Sequence, residues 1–318
     1  GDGRPDIVTA HGQSSHFHVL RGIGDGTFQP FGTFTTGAGC RFATVADLDR
    51  DGRPDVIAAN ATANTVTVFR NTSPFDHAAV VPSGTAPYAL ISSDVNGDGA
   101  PDVISVDSQG DRLLIHLRLP QGGFASPAVY AVGAGPSAVA VGDVNGDGRV
   151  DLVISNYTGN TVSLLFGLEN GTFGPAQHLT GGVTPHAVAL ADVNSDGLTD
   201  IITANHFSNS VMVRLGAGNG SFLAPVGFGV GSQPLSVAVS DFNRDGRPDL
   251  VSANIAANSV SLRLGNGNGT FQPAVNFGVG ANPYSLSVGD FNGDEYPDVV
   301  TANHGGNTVT VLLANPTG

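Results

Sequence analysis

An acidic motif returns along this chain at a nearly fixed interval, and an internal period of this length restricts the fold more than any other feature. The motif is Asp-x-Asn/Asp-x-Asp-Gly/Glu-x-x-Asp. It is complete at Asp47–Asp55, Asp94–Asp102, Asp143–Asp151, Asp192–Asp200, Asp241–Asp249 and Asp290–Asp298. Its first aspartates stand 47 residues apart once and 49 apart four times. Residues Gly1–Asp6 match the second half of a seventh copy, and Asp6 to Asp55 is again 49 residues. No linker, charge run or composition shift interrupts the series, so residues 1–318 are expected to form a single domain. A start inside a loop motif is an unsuitable natural terminus, so the chain is expected to be a piece of a longer protein.

Each copy carries the same surroundings. A short strand such as Ser137–Gly142 precedes the acidic loop, and an apolar run such as Asp151–Ser155 follows it. Next come an Asn-x-x-x-Asn turn such as Asn254–Asn258 and a third strand such as Thr308–Leu313. A Gly/Asn turn ending in phenylalanine, as in Gly265–Phe271, then leads to a fourth strand such as Ala274–Gly278. Alternation and β-branched residues dominate, with no 3.6-residue apolar period. Four strands in about 49 residues fit one blade of a β-propeller. The expectation is an all-β, seven-bladed propeller of four-stranded antiparallel blades, with 26 strands because the end blades are incomplete. The residues after each first Asp (Leu48, Val95, Val144, Val193, Phe242, Phe291) and the turn phenylalanines (Phe28, Phe124, Phe173, Phe222, Phe271) are expected to pack between blades.

Three oxygen-bearing side chains at alternate positions, then glycine, then a closing carboxylate, make a loop for a hard cation, and such ligands favour Ca²⁺. The expected ligands are Asp47, Asp49, Asp51 and Asp55; Asp94, Asn96, Asp98 and Asp102; Asp143, Asn145, Asp147 and Asp151; Asp192, Asn194, Asp196 and Asp200; Asp241, Asn243, Asp245 and Asp249; and Asp290, Asn292, Asp294 and Asp298. The first six positions resemble an EF-hand loop, but the closing acid stands at position 9 and a strand follows, so each loop reads as a hairpin. Of the 27 acidic residues, 21 are aspartates of these loops or of the N-terminal half-copy, and the formal charge is −14. Gathering so many carboxylates without counter-ions is repulsive. Six bound Ca²⁺ would bring the charge to about −2. Glu295 takes the place of the loop glycine in the last copy, where a positive φ is expected to cost roughly 1–2 kcal/mol and weaken that site.

The acidic balance argues against nucleic acid and anionic lipid as partners. No run of 18 apolar residues suggests membrane insertion. The one cysteine, Cys40, excludes an internal disulfide and is expected to be a buried small hydrophobe. No GxSxG, HExxH, CxxC or P-loop pattern is present.

The segments Leu264–Phe271 (Leu-Gly-Asn-Gly-Asn-Gly-Thr-Phe) and Val288–Asp294 (Val-Gly-Asp-Phe-Asn-Gly-Asp) resemble FG-GAP repeats, in the bacterial form often labelled VCBS. The resemblance spans the chain. It implies a propeller like the integrin α-subunit head, with Ca²⁺ in the hairpins between strands one and two, in an extracellular or cell-surface protein. Family members include adhesion heads, fungal lectins and propeller domains of polysaccharide-degrading enzymes, so activity does not follow from the fold.

If calcium occupies one face, ligands are expected on the other. Two repeated slots there vary. One, six residues before each first Asp, holds Arg41, Tyr88, Ser137, His186, Leu235 and Tyr284. The other, after the first Asn of the turn, holds Ala61, Tyr157, His206, Ile255 and His304, with His11 near the same place in the first copy. Arg41, Tyr88, Tyr157, His186, His206, Tyr284 and His304 are the candidate ligand face. His11, His206 and His304 stand on repeats that are not all adjacent and are not expected to converge on a metal. The leading expectation is a monomeric, non-enzymatic recognition or adhesion module within a larger chain, binding an extracellular protein or glycan. The alternatives are a lectin with sites around the ring and an accessory domain of a polysaccharide-degrading enzyme.

Overall fold

The computed structural model describes residues 2–12, 14–72 and 76–314. Seven antiparallel sheets follow one another along the chain, each a meander, and in blades two to seven strand one is innermost. Blade two is Cys40–Ala46, Asp55–Asn60, Thr65–Arg70 and Asp76–Pro82; blade six is Pro234–Ser240, Asp249–Asn254, Ser259–Arg263 and Val275–Gly278. Blade one has only Ile7–Ala10, His16–Gly22 and Phe28–Thr35, and blade seven only Pro283–Gly289, Asp298–Asn303 and Thr308–Leu312. The architecture is thus a seven-bladed propeller with incomplete end blades.

Strand two is buried at all six positions in blades two to six. Such strands do not alternate in polarity, because a neighbouring blade covers each face. The core lies between blades: Ile104, Leu113 and Ile115 of blade three pack with Leu152, Ile154 and Leu165 of blade four. The residue after each first Asp is 1–8% exposed in every copy. All five turn phenylalanines join inter-blade clusters, Phe173 and Phe271 buried and the other three half-buried. Cys40 is fully buried, and burial pushes its thiol up to about 11.

The ring closes through side chains. Ile7 of blade one packs with Phe291 and Val300 of blade seven, flanked by Leu20, Phe28, Val309 and Val311. The Gly26 N–H donates to the Phe291 carbonyl across this seam at 3.1 Å.

Three features depart from the sequence reading. A small extra hairpin, Gly216–Gly218 with Ser221–Phe222, forms inside one Gly/Asn turn. The fourth loop position takes a positive φ in every full copy, at Arg50, Gly97, Gly146, Ser195, Arg244 and Gly293. Strand one carries a register shift in each of blades two to seven. The residue skipped at that shift is Arg41, Tyr88, Ser137, His186, Leu235 or Tyr284, so the first varying slot is a β-bulge rather than a surface turn.

Candidate functional site

The acidic loops join the end of strand one to the start of strand two. The ninth-position aspartates are 0–1% exposed, and each accepts two backbone N–H groups. For Asp102 the donors are Val95 (3.1 Å) and Arg118 (2.7 Å); for Asp249 they are Phe242 (2.9 Å) and Gly265 (2.7 Å). Asp6 of the N-terminal half-copy likewise accepts from Gly22 at 2.9 Å. Burial outweighs these bonds and pushes the Asp102 carboxyl up to about 6, with Asp55, Asp151, Asp200, Asp249 and Asp298 shifted the same way.

The first-position aspartates fold the loop. Asp94 accepts from Gly97 (2.8 Å) and Asp98 (3.2 Å) through one oxygen and from Gly99 (2.6 Å) through the other. Asp143 accepts the corresponding N–H groups from Gly146, Asp147 and Gly148. Glu295 adopts φ 68° and still donates its N–H to Asp290 at 2.9 Å, so the last loop keeps the shape the glycine copies have.

The donor set is all oxygen, as a hard dication requires. In the first full loop, carboxylate oxygens of Asp47, Asp49 and Asp55 lie within 4.8 Å of one another. In the other loops the third position is Asn, whose amide nitrogen faces the fifth-position Asp, as at Asn96–Asp98 (3.1 Å) and Asn292–Asp294 (2.9 Å). Among the described residues those loops do not bring three carboxylates as close. Asp51 and Asp147 turn instead to Arg53 and Arg149. The residues fit a calcium ion by chemistry and loop shape, and the exposed carboxylates would turn inward to hold it.

At the opposite end of the inner strands, four of the bulges bring their side chains together at the axis, as a bulge re-directs its residue. Arg41 Nη2 donates to Tyr284 Oη at 2.6 Å, and Tyr88 Oη lies 2.9 Å from Tyr284 Oη and 2.8 Å from His186 Nε2. His186 Nδ1 donates to the Leu235 carbonyl at 2.9 Å, which leaves Nε2 as the acceptor from Tyr88. One directed chain therefore runs from Arg41 through Tyr284, Tyr88 and His186 to Leu235. The Arg41 guanidinium also stacks 3.8 Å over the Tyr88 ring. Burial lowers His186 to about 4 and raises the Tyr88 phenol. Tyr157 contacts His186 and His206, and His304 contacts Tyr284. All seven residues named on the ligand face thus form one connected cluster. Among the described residues, its buried Arg41 Nε and His206 Nδ1 have no partner.

The sequence reading put His11 near the repeat slot that holds His206 and His304, without expecting the three to converge. The pairing register instead puts it at the first Asn of the turn, where its ring meets His16 and His18. The signal that identifies this group is His-x-His, since alternate residues of a strand share a face.

A family model described as FG-GAP-like repeat matches residues 1–58, 94–154, 143–203, 192–252 and 241–301. No curated protein matches the chain. Among solved structures, an Agrocybe aegerita lectin that recognises non-reducing terminal N-acetylglucosamine is 21% identical at TM-score 0.62, over 98% of this chain and 91% of that one. BBS1N in complex with ARL6DN is 13% identical at TM-score 0.70, over 100% and 90%. A streptogramin B lyase is 14% identical at TM-score 0.65, over 98% and 90%. At these identities the likeness is one of fold. No helix among the described residues is long and apolar enough to cross a membrane, which leaves β-barrels aside.

Proposed function

The chain belongs to the FG-GAP-like repeat family, and we propose that it is a calcium-loaded, extracellular recognition module that takes its ligand at the axial mouth opposite the acidic loops. The carrying observation is the axial cluster. Seven residues from variable slots of five blades meet there, although the repeat itself dictates none of them. Arg41 Nε and His206 Nδ1 are buried without a partner among the described residues, and the cluster meets solvent through the exposed His304 and the half-buried Tyr157. Calcium in the loops of the other face would hold the hairpins that position the inner strands. Extracellular calcium, in the millimolar range, saturates even weak oxygen sites of this kind.

The reading is non-enzymatic. The seven side chains are neutral or cationic, whereas glycoside hydrolysis ordinarily uses a pair of carboxylates. A glycan is the ligand class favoured among extracellular partners, because tyrosine faces and imidazole or guanidinium donors suit a sugar's apolar faces and hydroxyls. The lectin relative is consistent with this choice. The test is a glycan array run on the native protein and on Tyr157→Ala and His304→Ala, which sit at the edge of the cluster. Binding lost in these variants with unchanged melting supports the site. Glycan binding that both variants retain in full removes it, and binding only to extracellular protein replaces the glycan with a protein ligand.

A further inference from the structure

We propose that His11, His16 and His18 of blade one bind a single first-row transition-metal dication of the zinc type, at a site separate from the acidic loops. Blades two, four, six and seven show what these three positions do in most copies. Ala10 pairs with Phe17 as Ala59 pairs with Val66, so the three histidines occupy the places of Asn60, Thr65 and Thr67. In blade two, Asn60 Nδ2 donates to Thr65 Oγ1 at 3.1 Å and Thr67 Oγ1 at 2.8 Å. In blade six, Asn254 meets Ser259 (3.3 Å) and Ser261 (2.8 Å); in blade seven, Asn303 meets Thr308 (3.2 Å) and Thr310 (2.8 Å). The fold therefore already converges three side chains at this point. Blade one replaces all three members together, and with one residue type.

The replacement changes the chemistry from a hydrogen-bonded clip to a nitrogen donor set. One ligand atom from each histidine lies within 4.8 Å of those of the other two. The ring centroids stand 5.1, 4.4 and 5.0 Å apart. Zinc–nitrogen bonds of about 2.0–2.1 Å in a tetrahedron place the nitrogens roughly 3.3 Å apart, so small ring rotations close the site. His16 and His18 project from one face of the same strand, and His11 arrives from the turn before it. His18 Nδ1 sits 2.8 Å from Thr33 Oγ1. That contact occupies one ring nitrogen and leaves Nε2 for the metal, the usual outer-shell arrangement of a ligating imidazole. All three residues are half-buried, so the site is shielded but reachable. Imidazole donors without a carboxylate favour Zn²⁺, Cu²⁺, Ni²⁺ or Co²⁺ over Ca²⁺, and three donors leave one tetrahedral position open.

The test is equilibrium dialysis and calorimetric titration of the full chain with Zn²⁺, and a visible spectrum with Co²⁺, all in excess Ca²⁺ so that the acidic loops do not compete. The expected result is one tight equivalent, with the absorption of tetrahedral Co²⁺. The variant His11→Asn/His16→Thr/His18→Thr restores the triad of blade two and should melt at the wild-type temperature without zinc. It should bind at least about 100-fold more weakly, and His16→Thr alone at least about 10-fold. His178→Ala, outside the triad, should leave the affinity unchanged. Failure of the native chain to take up one equivalent, or uptake that the triple variant retains, overturns the proposal.

Discussion

Asp249 and Asp245 belong to one loop yet carry different burdens. Asp249 is fully buried and pins two backbone N–H groups; Asp245 is exposed and accepts from the Arg247 N–H at 2.9 Å. Asp249→Ala should therefore cost about 2–3 kcal/mol even without calcium, since it orphans two buried donors. Asp245→Asn should change melting only when calcium is present. Chemical denaturation of both variants with and without Ca²⁺ separates the two roles. His116 is another residue whose surroundings decide its behaviour. It is 1% exposed, both ring nitrogens lack partners among the described residues, and its counterpart in blade four is Leu165. Burial lowers it to about 4 from an ordinary 6.5. Between those values the unfolded chain binds the proton that the native state refuses, so stability is complete above about pH 6.5 and falls as pH drops toward 4. His116→Leu should remove about 2 kcal/mol of that loss, read as the difference between wild-type and variant stability at pH 7 and pH 4.5. The sequence displayed the ligand chemistry of the loops but not this division of labour, because burial depends on blades that stack from elsewhere in the chain.

At the level of the element, the strands named from the repeat fall within a residue or so of those observed: Asp151–Ser155 is Asp151–Asn156, and Ala274–Gly278 is Val275–Gly278. Hairpins, turns and the inter-blade phenylalanines were equally readable, since each repeats with its chemistry intact. The bulge in strand one was not. A bulged residue makes no ladder pair, so it is free to vary, and its sequence signature is variation alone, which a surface turn also produces. The structural consequence differs greatly, because the bulges bring Arg41, Tyr88, His186 and Tyr284 together at the axis. The positive φ at the fourth loop position was equally hidden, since Arg50, Ser195 and Arg244 stand there beside glycines in other copies. The sixth position was legible through Glu295. Its φ of 68° carries the strain expected of a non-glycine residue, and its ion pair with Arg244 is solvent-exposed and contributes little. Glu295→Gly should stabilise the protein by about 1 kcal/mol and tighten calcium at that loop, which a melt in saturating Ca²⁺ and a calcium titration both read.

For the whole molecule, charge and closure are one problem. Seven blades are held in a ring by apolar seams, including the one where two three-stranded blades meet through Ile7, Phe291 and Val300. Along one rim stand the acidic loops that hold most of a −14 formal charge. Arg50 and Arg244 reach across to the loops of the next blade, and Arg53 and Arg149 pair within their own, but the loop carboxylates far outnumber these arginines. Divalent ions would relieve the repulsion and fix each hairpin, and each ion at a hundredfold excess over its dissociation constant adds about 2.7 kcal/mol to stability. The central claim is that these loops hold calcium. Its most direct measurement is a calorimetric melt of the full chain, first in excess chelator and then through a Ca²⁺ titration with bound ions counted. The melting temperature should fall steeply in chelator and recover as about six ions bind. A transition that stays in place in excess chelator, with no calcium taken up on titration, would contradict it.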